Sequence, residues 1–225
     1  MTTTPAIERA PRDAAAHWHA GVALSRRQDW RGAADAFDRA ARAAPHDALY
    51  WLNLAHAQRR AGTPELALAT VERALALEPA HVLALRLKAE CLAELHRYEA
   101  AVQAWQALQD AGVRDPEPML LHASMLQALG RHRDAMELLL EALSLQPGLV
   151  RGHALLADAC RDLGLKREAA ECMKTVLALE PDNLEALSHL SYEKRQVCDW
   201  SELDADLARF DRLLATAPQG QPRIA

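Results

Sequence analysis

Apolar positions return along this chain with a spacing of 34 residues. Counted from segments that begin at residues 14, 48, 82, 116, 150 and 184, the eighth position reads Gly21, Ala55, Ala89, Ala123, Ala157 and Ser191. The twentieth reads Ala33, Ala67, Ala101, Ala135, Ala169 and Leu203, and the twenty-seventh reads Ala40, Ala74, Leu108, Ala142, Val176 and Phe210. Two antiparallel helices of roughly 14 residues, each about 21 Å long, approach closely only where their side chains are small. The pattern therefore predicts a helix–turn–helix unit in each segment, with the eighth and twentieth positions meeting at the contact. Larger residues such as Leu54, Leu92, Leu126 and Leu156 fill the space around it.

The breaks between helices follow the same grid. Pro45, Pro79, Pro147 and Pro181 share one position, with Val113 at the vacant step, and proline ends the second helix of a unit. Gly62, Gly130 and Gly164 recur where the first helix must stop, a place that favours residues able to take positive φ. The expected organisation is one array over residues 13–217, with repeats 14–47, 48–81, 82–115, 116–149, 150–183 and 184–217. A flexible tail is expected over residues 1–12. Residues 218–225 read as a tail or a cut linker, because the ending ATAPQGQPRIA has turn chemistry.

Composition agrees with an all-α fold. Aromatic residues make up only 4%, so Ala and Leu must fill the interior, and both favour helices over strands. A net charge of −5 argues against a nucleic-acid partner. No apolar run reaches the length of a membrane span, and the start MTTTPAIERAPRD lacks the apolar centre of a secretory leader. Cys91, Cys160, Cys172 and Cys198 form no C-x-x-C pair, which suggests reduced structural thiols in a cytoplasmic protein.

Ten histidines raise the question of a metal or a catalytic base, but their spacing supports neither. His17 and His19 stand two apart and so point to different helical faces. The chain lacks H-E-x-x-H, a glycine-rich phosphate loop and a G-x-S-x-G elbow. The expectation is a protein that is not an enzyme by itself, with no catalytic residue, no metal ligand and no cofactor.

The segments WLNLA (51–55) and AADAFDRAARAAP (33–45) resemble the opening and the close of the tetratricopeptide repeat, and the resemblance runs over about residues 14–217. It implies a right-handed α-solenoid of about six repeats whose concave face binds a protein or peptide. By the same resemblance the second, fifth, sixth, ninth, twelfth and thirteenth positions face inward. Trp18, Asn53, His56, Arg59, Arg86, Arg151, Arg161, Tyr192 and Arg195 are then the candidate partner-binding residues, with Arg60, Glu90 and Asp158 beside them. Arginine there suits carboxylates or backbone carbonyls of an extended peptide, because its planar fork is directional. The Lys and Asn set of chaperone-binding clamps in this family is missing. The asparagine ladder at the sixth position survives only at Asn53, among His19, Leu87, Leu121, Leu155 and His189.

The segment VCDWSELDADL (197–207) breaks the pattern, with Leu203 and Phe210 in columns otherwise filled by smaller residues. Trp200 holds the seventeenth position, as Trp30 and Tyr98 do, which predicts an aromatic at the start of the last helix with Asp199 as its N-cap. The longer stretch RQVCDWSELDADLARF (195–210) is similar to the junction that leads from repeats to the catalytic region in the O-linked N-acetylglucosamine transferase and SPINDLY-like families. That similarity implies the substrate-recruiting arm of a glycosyltransferase whose catalytic domains are not in these residues, or a subunit that works with a separate catalytic chain. An arm for another fused enzyme, a stand-alone scaffold and self-association through the array's ends all stay open.

Overall fold

A computed structural model describes residues 6–216 of the protein. Among them the chain forms twelve α-helices and no strand. Two compact units divide it at Arg114 and Asp115, the step where the proline grid is vacant. The first holds α1 (Ala6–Arg26), α2 (Trp30–Ala43), α3 (Ala48–Arg60), α4 (Pro64–Leu77), α5 (Val82–Glu94) and α6 (Tyr98–Asp110). The second holds α7 (Pro116–Ala128), α8 (His132–Leu145), α9 (Val150–Asp162), α10 (Lys166–Leu179), α11 (Leu184–Gln196) and α12 (Leu203–Thr216). Within each unit every helix packs against the next along the chain. The first helices of successive pairs also touch, α3 with α5 and α7 with α9.

The expected repeat starts at 48, 82, 116, 150 and 184 are the first residues of α3, α5, α7, α9 and α11. The small-residue columns are the reason. Ala33, Ala67, Ala101, Ala135 and Ala169 are fully buried, as are Ala55, Ala89, Ala123 and Ala157. In the first pair the fit is tighter still: a Cβ added to Gly21 would lie 2.6 Å from the ring of Phe37. The benzyl group of α2 thus occupies the space that other pairs give to a methyl group.

Each pair turns in the same way. The fifteenth position has positive φ in all six repeats: at Gly62, Gly130 and Gly164, but also at Gln28, His96 and Cys198. The residue after it donates its N–H to the carbonyl five residues back, as Thr63 does to Gln58 and Leu165 to Cys160, which closes a Schellman-type cap. Between pairs the fourth residue of the first helix can reach back to the proline carbonyl. Trp51 Nε1 donates to Pro45 O at 2.9 Å, and His153 Nε2 lies 2.8 Å from Pro147 O. Asp47, Asp115 and Asn183 cap the helices that follow them.

Two boundaries differ from expectation. Helical backbone begins at Ala6, inside the stretch 1–12 read as a tail; residues 1–5 and 217–225 lie outside the described residues. The last helix starts at Leu203, so Trp200 precedes it and is 64% exposed. Asp199 caps a turn rather than the helix, its Oδ1 accepting from Ser201 N at 3.0 Å and Ser201 Oγ at 2.5 Å. The cause is Lys194, buried at the end of α11. Its ammonium donates to Ser201 O at 3.1 Å and to Asp206 Oδ2 at 2.5 Å, and these contacts take up the stretch where earlier repeats begin their second helix.

Candidate functional site

In the first unit α3 and α5 lie side by side and leave a groove of about 520 Å³ between them. Helical spacing builds its walls. Leu52, Asn53, His56 and Arg59 fall on one face of α3, and Leu83, Arg86, Leu87 and Glu90 on one face of α5. Leu52 and Leu87 are buried and form an apolar floor, while Leu83 stands on the rim at 59% exposure.

Glu90 ties the two walls together. Arg59 Nη1 donates to one of its oxygens from α3, and Arg86 Nε donates to the other at 3.0 Å from within α5. Arg59 Nε adds a 2.8 Å bond to Glu94 Oε1. Burial works against the Arg59 charge, but the bond to Glu94 and the charges of Glu90 and Glu94 outweigh it and hold the guanidinium above its ordinary range. His56 is moved the other way. The residue as a whole is exposed, but partial burial of its ring, then Arg59 and Arg60, push its imidazole below the usual range against the opposing pull of Glu90. The His56 ring meets Trp30 edge-on at 6.0 Å, and the Arg60 guanidinium lies 4.7 Å from the centre of the same indole. Asn53 donates through Nδ2 to Leu49 O at 2.8 Å.

Asn53, His56, Arg59 and Arg86 are thus brought together, with Glu90 among them. Trp18 lies on α1, half-buried, with its ring edge-on to His19 at 5.0 Å. In the second unit Arg151 is exposed on α9, and Tyr192 and Arg195 are exposed on α11. Arg161 is engaged internally: Nε donates to Glu193 Oε1 at 2.7 Å, Nη1 to Asp158 Oδ1 at 2.8 Å, and Nη2 lies 3.3 Å from His189 Nδ1. Sequence reasoning passed over Glu193 and Lys194, both buried and both charged. The only signal for them was their position on a first helix, one and two residues beyond Tyr192.

The cysteines are unpaired. Cys91 and Cys160 are buried, Cys172 is half-buried and Cys198 exposed. Burial pushes the Cys91 and Cys172 thiols up to about 12, which keeps them protonated at neutral pH. Among the described residues no group of three or more His, Cys, Asp and Glu is placed to hold a metal ion, and no helix is long and apolar enough to cross a membrane.

Comparison with known proteins identifies tetratricopeptide repeats in this chain. The tetratricopeptide repeat family model matches residues 116–148 and 150–183. The family model described as anaphase-promoting complex, cyclosome, subunit 3 matches residues 26–108. No curated protein matches the sequence. Among solved structures, a tetratricopeptide repeat protein from Parabacteroides merdae is similar with a TM-score of 0.77 at 16% identity, over 92% of this chain and 81% of that one. YrrB, described as a TPR protein with an unusual peptide-binding site, has a TM-score of 0.71 at 18% identity over 81% and 94% of the two chains. PilF of Pseudomonas aeruginosa has a TM-score of 0.70 at 19% identity, over 92% and 95%. The fold class is therefore all-α, an α-solenoid built from tetratricopeptide-type helix pairs. The family-model matches end at residue 183, before the 195–210 segment.

Proposed function

We propose that this protein is a non-catalytic scaffold that binds a protein partner through an extended segment laid in the α3/α5 groove. The observation that carries this is the groove itself, an apolar floor of Leu52 and Leu87 bordered by polar groups that a rigid ion-pair network holds in place. Sites that bind extended ligands combine apolar area with a few oriented polar groups in this way. The peptide-binding site of YrrB, a structural neighbour, supports the reading. Under the resemblance at 195–210 the captured segment would belong to a substrate of a glycosyltransferase, and the capture step is the same.

The test is selection of a random peptide library on the immobilised protein, followed by measurement of the selected peptides against Leu83→Asp. A charge at this exposed rim position is expected to weaken binding at least about tenfold while the circular dichroism spectrum stays unchanged. Equal binding by the variant would remove the groove as the site.

A further inference from the structure

Resting on that reading of the groove, we propose that it selects a peptide in which an Asp or Glu side chain stands next to a leucine-sized apolar side chain. The apolar requirement comes from Leu52, Leu87 and the exposed Leu83.

The acidic requirement comes from charge and from free donors. Around the groove stand three guanidinium groups, Arg59, Arg60 and Arg86, against two carboxylates, Glu90 and Glu94. This local excess of positive charge stands out on a chain whose net charge is −5. Glu90 takes only Nε of Arg86, so both terminal nitrogens of that side chain have no partner among the described residues. Arg86 is also 41% exposed along its side chain, within reach of a ligand. Arg60 sets its guanidinium carbon 4.7 Å from the centre of the Trp30 ring, a cation–π contact that uses none of its N–H groups as hydrogen-bond donors. The behaviour of His56 agrees. Its imidazole disfavours a proton, first through burial and then because Arg59 and Arg60 outweigh Glu90. A carboxylate entering here meets a planar fork suited to it, and a lysine would meet like charge. Ion pairing inside the protein accounts for Arg59 but leaves the open forks of Arg86 and Arg60 unexplained.

The experiment uses the full chain and fluorescein-labelled heptapeptide pools. Each pool fixes Leu at one position and Glu, Gln or Lys beside it, with the other positions degenerate. Fluorescence anisotropy should show the Glu pool binding about tenfold tighter than the Gln pool, and the Lys pool weakest. The Glu-over-Gln preference should shrink in Arg86→Gln and at about 0.5 M NaCl, where exposed charges are screened. Equal affinity for Glu and Gln pools, with binding still lost in Leu83→Asp, would overturn the acidic preference and leave the groove reading standing. No binding by any pool would overturn both. A labelled oligothymidylate that bound tighter than the Glu pool, and lost affinity in Arg86→Gln, would assign the basic edge to nucleic acid and also overturn the proposal.

Discussion

Arg59 in the first unit and Arg161 in the second hold the same twelfth position of their repeats, yet they do different work. Arg59 reaches Glu90 and Glu94 on the next first helix, α5, at the border of an open groove. Arg161 reaches Glu193 on α11, whose side chain has no exposure at all, against 17% for Glu90. The partner carboxylates differ by one register step, ninth position for Glu90 and tenth for Glu193. One step on an α-helix is a rotation of about 100°. It swings the carboxylate from the groove face to the buried side and leaves Tyr192 exposed at the ninth position. One arginine column can therefore border an open groove in one unit and form an internal strut in another.

The strongest way to break this comparison is to remove each arginine in turn. Arg161→Ala leaves the buried Glu193 carboxylate without its cation and should cost roughly 3–5 kcal/mol. Arg59→Ala acts on a partly solvated pair and should cost about 1 kcal/mol or less. Urea titrations of both variants measure the difference, and equal costs would show that the two hubs are energetically alike.

Acidification separates the units next. His122 is 4% exposed and takes the seventh position, where Leu54, Leu156 and Leu190 stand in other repeats. Burial, helped by the charge of Arg131, pushes its imidazole down to about 4. The unfolded chain takes up that proton near pH 6.5 and the folded chain resists it. The associated stability is thus full above about pH 6.5 and is lost as pH falls toward about 4, a total of about 3 kcal/mol. His122→Leu should flatten this loss between pH 7 and pH 4.5. A titration whose slope was the same in the variant would show that other groups cause the acid sensitivity.

The smallest effect concerns the turns. Gln28, His96 and Cys198 carry positive φ at a position that glycine fills in three repeats. Gln28→Gly relieves the Cβ penalty, partly offset by the freer unfolded chain, and should stabilise by about 0.5–1 kcal/mol. Thermal melts would register it as a small rise, whereas the same glycine substituted inside α3 should lower the melting point.

Much of the fold was legible because small residues recur wherever two helices cross, and a 34-residue period leaves little freedom to place the helix starts. The turn positions were half legible, since Gly62, Gly130 and Gly164 marked them but the three side-chain-bearing residues at the same position did not. The candidate site was legible as a set of first-helix positions, and Asn53, His56, Arg59 and Arg86 do meet. What the pattern could not show was which arginines keep a free edge. That depends on contacts between residues some thirty apart in sequence, such as Arg59 with Glu90, and on rotamers that no periodicity records. The late start of α12 was hidden for a similar reason, because it follows from where one buried ammonium finds its oxygens.

The seat that Gly21 provides for Phe37 bears on how such a chain can be rearranged. Later repeats carry at least a methyl group at the eighth position, from Ala55 through Ser191. A graft of α2 onto the first helix of another repeat would set the Phe37 ring against that methyl, although the spliced length would be correct. Exchange of whole hairpins avoids the clash. For the first repeat the piece that can be shuffled, duplicated or inherited intact is therefore the whole hairpin, whereas the third repeat already pairs an indole, Trp105, at the Phe37 position with Ala89 at the eighth.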